Sequence, residues 1–72
     1  MQGMNRDSLT RGTVSHVNAV SRSGFIETEA TAKDVLFLSS AVNEYVPEVG
    51  AEVRFEMVET RDGPRAATLS RM

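Results

Sequence analysis

The chain has 72 residues, a formal net charge of −2, no cysteine and a single histidine. That length admits one small domain with a modest core. The composition excludes a disulfide scaffold, a thiolate or His-cluster metal site, and the strongly basic balance of an avid, indiscriminate DNA binder. No apolar run approaches the roughly 20 residues needed to span a bilayer.

In chain order, residues 1–9 are polar, lack periodicity and carry no apolar stretch of the secretory kind, so they read as a flexible tail ahead of a domain at residues 10–72. Thr10 to Asn18, with Thr13, Val14 and Val17, reads as a first strand. Ala19 to Ser23 is small and polar and suits a hairpin turn. Gly24 to Thr28 reads as a second strand with Phe25 and Ile26 on opposite faces, since side chains alternate along a strand. Asp34 to Ser39 contains the continuous apolar run Val35-Leu36-Phe37-Leu38, which predicts a third strand apolar on both faces. Ser39 to Val42 has room for one 3₁₀ or helical turn. Asn43 to Gly50 reads as a loop punctuated by Pro47 and Gly50. Ala51 to Glu59 alternates, with Val53, Phe55 and Met57 on one side and Glu52, Arg54, Glu56 and Val58 on the other, as a half-buried strand does. Arg61-Asp62-Gly63-Pro64 is a turn. Ala66 to Arg71 is expected as the last strand, with Ala67 and Leu69 facing inward.

No window carries apolar residues at helical spacing over ten or more positions. Five strands in a chain this short are too few for a sandwich of useful size but enough to close a small barrel, which also removes exposed edges. The predicted fold is therefore all-β: a closed five-stranded antiparallel barrel of the OB type.

The ordered fragments of this sequence resemble the cold-shock domain. Gly12-Thr13-Val14 is similar to that family's opening Gly-Thr-Val, and Asn18-Ala19 to the Asn-Ala that leaves its first strand. Ser23-Gly24-Phe25-Ile26 falls on the first nucleic-acid-binding motif, usually Lys-Gly-Phe-Gly-Phe-Ile. Asp34 to Ala41 falls on the second, usually Asp-Val-Phe-Val-His-Phe-Ser-Ala. Val53-Arg54-Phe55-Glu56 and Gly63-Pro64-Arg65-Ala66-Ala67 resemble the Gly-x-x-Val-x-Phe strand and the Gly-Pro-x-Ala-Ala signature. The resemblance runs from Gly12 to about Leu69. It implies a non-enzymatic binder of single-stranded RNA or DNA, acting as an RNA chaperone without a cofactor or metal.

The departures fall on the binding motifs. His16 stands at the family's Trp position and Val17 at the following Phe. Ser21 and Ser23 replace a Lys and a Phe, and Leu36, Leu38 and Ser39 replace Phe, His and Phe. Phe37 falls where the family has an inward Val and is assigned to the core. Members of the family stack bases on sheet aromatics, each stack worth about 1–3 kcal/mol, so losing platforms predicts weak, sequence-tolerant binding. Phe25 is the expected stacking ring, with His16 and Tyr45 assisting and Leu36 and Leu38 alongside. Arg22, Lys33, Arg61 and Arg65 either form a phosphate-tracking rim or are solvated loop charges. Leu36 and Leu38 are either exposed beside Phe25 or covered by the loop around Tyr45.

An alternative is a degenerate barrel that has become a protein–protein interaction module, docking a protein through Phe25, Leu36 and Leu38. A general acid–base role for His16 lacks a convergent partner, and no P-loop or nucleophile–base spacing is present. A monomer without a membrane partner is expected. The absence of cysteine is compatible with the cytoplasm.

Overall fold

A computed structural model describes residues 9–42 and 46–71. Five strands, β1 (Thr10–Asn18), β2 (Ser23–Glu27), β3 (Val35–Phe37), β4 (Glu52–Thr60) and β5 (Gly63–Arg71), close into a barrel in the order β1-β2-β3-β5-β4. A 3₁₀ turn at Ser39–Ala41 follows β3. Relative to the sequence reading, β2 starts one residue earlier, β3 stops at Phe37, and β5 starts at Gly63 rather than Ala66. All neighbouring pairs are antiparallel except β3 and β5, which run parallel. Strand direction cannot alternate all the way round a ring of five, so closure forces one such pair. β4 and its flanking loops supply the long connection that a parallel pair requires. The expected antiparallel barrel is thus corrected at one seam, while its closure and strand number stand.

Two β-bulges reset the inward–outward alternation. In β1, Val14 lies opposite Ile26 but His16 lies opposite Phe25, so β1 takes two steps while β2 takes one. Strict alternation from the buried Val14 would turn His16 inward. The extra residue turns it outward and sends Val17, opposite Gly24, against the core. In β5, Leu69 lies opposite Phe55 and Ala66 opposite Met57, three steps against two. Ala66 and Leu69 are therefore both buried while Ala67 is exposed. This corrects the expectation that Ala67 faces inward with Leu69.

The core holds Val14, Ile26, Val35, Phe37, Ala41, Val42, Val53, Phe55, Ala66 and Leu69, with Met57 and Val17 packed against it. No polar or charged residue is buried among the described residues. Enclosing each large apolar side chain contributes about 1.5–3 kcal/mol. Phe37 and Phe55 are both wholly enclosed, so the continuous apolar run of β3 splits into an inward pair, Val35 and Phe37, and an outward Leu36.

Gly24 makes this packing possible. A Cβ there would collide with the His16 carbonyl oxygen and sit 2.8 Å from the Phe37 ring. Only a glycine lets β1 and β2 pair over the edge of that ring. Gly63 does a different job at the β4–β5 turn, where its φ of 118° lies outside what other residues adopt readily. The Thr60 hydroxyl closes that turn, donating to the Gly63 carbonyl at 2.7 Å and accepting from the Asp62 amide at 3.1 Å.

Candidate nucleic-acid interface

Strand register lines up one outward residue from each strand. His16 on β1 is the cross-strand partner of Phe25 on β2, and Phe25 is the partner of Leu36 on β3. Leu36 in turn pairs with Arg65 on β5, and Arg65 with Val58 on β4. Of their neighbours along the strands, Val17, Gly24, Ile26, Val35, Phe37, Pro64, Ala66 and Met57 are buried or packed against the core. Alternation therefore places all five on the outer face, about 4.8 Å apart from strand to strand.

Phe25 keeps 38% of its surface in water and Val58 keeps 41%. His16 is exposed, and Leu36 and Arg65 are half-buried. The His16 and Phe25 rings lie 6.2 Å apart between centroids with their planes tilted by 44°. A planar group lying flat on Phe25 thus meets His16 at an angle and not as a second parallel platform. The Ser15 hydroxyl, at the bulge that turns His16 outward, donates to the Phe25 carbonyl at 3.3 Å. Leu38 continues past the end of β3 on the Leu36 side and is 37% exposed.

Arg65 is the only cation in the row. Its Nε is shielded from water and has no hydrogen-bond partner. An unmet buried donor of this kind destabilises the free protein by about 1–3 kcal/mol.

The other cations nominated from sequence, Arg22, Lys33 and Arg61, lie in connections at the two ends of the row. Arg22 sits in the β1–β2 turn, which Asn18 organises: its side-chain oxygen accepts from the amides of Val20 at 3.0 Å and Ser21 at 3.2 Å, and its carbonyl accepts from the Arg22 amide at 2.8 Å. Asn suits this position because its side chain bonds the backbone two residues on. Arg22 itself holds a φ of 60°. Lys33 and Arg61 lie toward the opposite end, since β3 and β5 run parallel from residues just beyond them. Each is exposed and is followed in sequence by an exposed acid, Asp34 and Asp62. Glu27 is exposed two positions along β2 from Phe25, on the same face. The field around the row is mixed in sign, so ring and aliphatic contact outweigh charge in what the surface offers.

Register therefore brings four of the nine residues nominated from sequence, His16, Phe25, Leu36 and Arg65, into one line, with Leu38 beside it. It leaves Arg22, Lys33 and Arg61 at the ends. Tyr45 lies outside the described residues. Val58 was missed. The available signal was a lone apolar residue among Glu52, Arg54 and Glu56 on the outer side of β4.

A separate open cleft of about 810 Å³ lies where β1 begins, lined in part by Arg11, Glu27, Glu29 and Glu52. Three carboxylates against one guanidinium oppose a polyanion there, which leaves the outer row as the better nucleic-acid surface. Among the described residues, no three His, Asp or Glu side chains converge as a metal site requires.

Comparison with known families agrees with this geometry. Residues 10–72 match the family described as the 'Cold-shock' DNA-binding domain. No curated protein matches the chain. The family match assigns the chain to nucleic-acid binding in general terms.

Proposed function

The chain belongs to the cold-shock domain family, and on that footing we propose that it binds single-stranded RNA or DNA weakly and with broad sequence tolerance, as an RNA chaperone. The observation that carries this reading is the outward row His16–Phe25–Leu36–Arg65, in which a partly exposed ring is flanked by an imidazole on one side and an aliphatic residue on the other. A base stacks on Phe25, His16 contacts its edge, and Leu36 and Leu38 pack against the base or its neighbour. Arg22, Lys33, Arg61 and Arg65 interact with phosphate or base acceptors. With one stacking ring and a mixed field, bases are held loosely and released easily, which suits opening weak RNA structure without ATP. The protein works as a monomer in the cytoplasm and performs no catalysis.

The test is titration of fluorescent hexathymidylate and of a quenched RNA hairpin at two salt concentrations. Binding that weakens as salt rises, through loss of counterion release, together with hairpin opening in the absence of nucleotide, supports the reading. No binding at high micromolar protein sinks it.

One observation favours a second reading. Phe25, Leu38 and Val58 are each more than a third exposed, and with Leu36 they form a largely apolar strip. Such a strip also fits a protein partner. Amide shifts confined to these residues on adding another protein, with none on adding oligonucleotide, would select that reading over the first.

A further inference from the structure

We propose that Arg65 gives the outer row a preference for guanine; this rests on the stacking reading above. Arg65 does not stand at the rim. Register places it inside the row, with Leu36 on one side and Val58 on the other. A base lying on Phe25 and extending over Leu36 directs its far edge at Arg65, while its sugar and phosphate leave from the other edge.

What Arg65 lacks is an acceptor. Its Nε–H is enclosed and bonded to nothing in the free protein. Rotation of the side chain toward a ligand exposes one fork of the guanidinium, Nε–H beside Nη–H. That fork matches two adjacent acceptors in a plane. Guanine presents such a pair in O6 and N7, whereas adenine sets a donor beside its N7 and uracil offers a lone carbonyl on that side. Cytosine also carries neighbouring acceptors, but its single ring reaches less far from Phe25 than a purine does. The base class that satisfies both the stack and the fork is therefore guanine. Broad tolerance at other positions of the strand is unaffected, because the row contains one phenyl platform and one fork.

The test compares a labelled hexauridylate with the same oligomer carrying one guanosine, one 7-deazaguanosine or one cytidine, by fluorescence anisotropy on the full chain. The guanosine oligomer is expected to bind about five- to hundredfold tighter than hexauridylate, the range of a bidentate arginine–guanine pair. Removing N7 is expected to erase most of that ratio, and Arg65→Lys to bring it close to one. The spectrum of amide shifts checks that the variant stays folded. A wild-type ratio near one, a cytidine oligomer that equals the guanosine oligomer, or a ratio that survives Arg65→Lys overturns the proposal. If Arg65→Lys weakens every oligomer by the same factor, Arg65 contacts phosphate and guanine reading is rejected, while stacking stands. If oligomers bind but Phe25→Ala changes nothing, stacking itself is wrong and the guanine proposal goes with it. No binding of any oligomer rejects both.

Discussion

On the inner side of β2 and β3, Ile26, Val35 and Phe37 are completely enclosed. On the outer side, Phe25 on β2 and Leu38 just past the end of β3 leave more than a third of their surface in water. The two phenylalanines lie close together, since Phe37 pairs across the strands with Gly24, the residue before Phe25. Yet one ring is wholly enclosed and the other keeps more than a third of its surface in water. The inner ring answers to packing, where every lost contact is a loss of stability. The outer ring lies off the enclosed core, and its exposed part is left for a ligand to cover. The same residue type in adjacent registers thus serves two masters, and substitutions should separate them.

The largest expected effect is on the inner side. Phe37→Ala empties the centre of the barrel and is expected to destabilise it by about 3–5 kcal/mol. A domain of this size rarely has more than about 3–5 kcal/mol to lose, so urea titration followed by circular dichroism should show no cooperative transition. A cooperative unfolding curve close to that of the parent would mean the ring is not the keystone its enclosure indicates.

Gly24→Ala comes next and tests whether the two faces are independent. The added methyl has no space between the His16 carbonyl and the Phe37 ring. Overpacking of this kind destabilises by about 1–3 kcal/mol. Because β1 must shift to make room, His16 should move away from Phe25, and oligonucleotide affinity should fall with the melting temperature. Loss of stability with affinity fully retained in the folded fraction would show that the row tolerates a displaced β1.

Phe25→Ala is the mirror of Phe37→Ala. Oligonucleotide affinity should fall by about 1–3 kcal/mol, while the urea midpoint moves little, as expected for a residue away from the enclosed core. The contrast fails if Phe25→Ala destabilises as much as Phe37→Ala, since Phe25 would then be a core residue with an exposed edge.

This difference between faces also decides what was legible in the sequence. Some inner residues announce themselves by period: Val53, Phe55 and Met57 on β4 followed directly from alternation, whereas Phe37, inside a run apolar on both faces, was placed inward by its likeness to the family's inward Val. Alternation failed where the backbone gains a residue. Ala67 was assigned inward because nothing in Ala66-Ala67-Thr68-Leu69 marks the bulge that makes Ala66 and Leu69 share a side. At His16 the same rule would have pointed the imidazole into the core, and its place at the resembling family's Trp position is what put it among the site residues. Val58 was missed for another reason. Its lone apolar side chain on the outer side of β4 was a signal, but what ties it to Phe25 is the parallel pairing of Arg65 with Leu36, residues distant in sequence that no local pattern connects. The parallel seam itself follows from the odd strand number of a closed ring, not from any residue pattern.

Arg22 belongs to neither face and gives the smallest expected effect. It occupies the left-handed region with a φ of 60°, in the stretch where the resembling motif carries Lys-Gly. A left-handed conformation costs a residue with a Cβ roughly 1–2 kcal/mol, of which the greater entropy loss of glycine returns roughly 0.5–1 kcal/mol. Arg22→Gly is therefore expected to stabilise the domain by up to about 1.5 kcal/mol, raising the melting temperature by about 6–12 °C at the upper limit. The same change removes a cation from the hairpin end of the row. If Arg22 meets a phosphate, affinity should drop slightly, and the slope of log K against log salt should shrink by about 0.7 for a single strand. A more stable, slightly weaker binder would mean that this turn trades backbone ease for charge at the surface. A variant that melts higher and binds identically would assign the strained conformation to the turn alone and remove Arg22 from the interface.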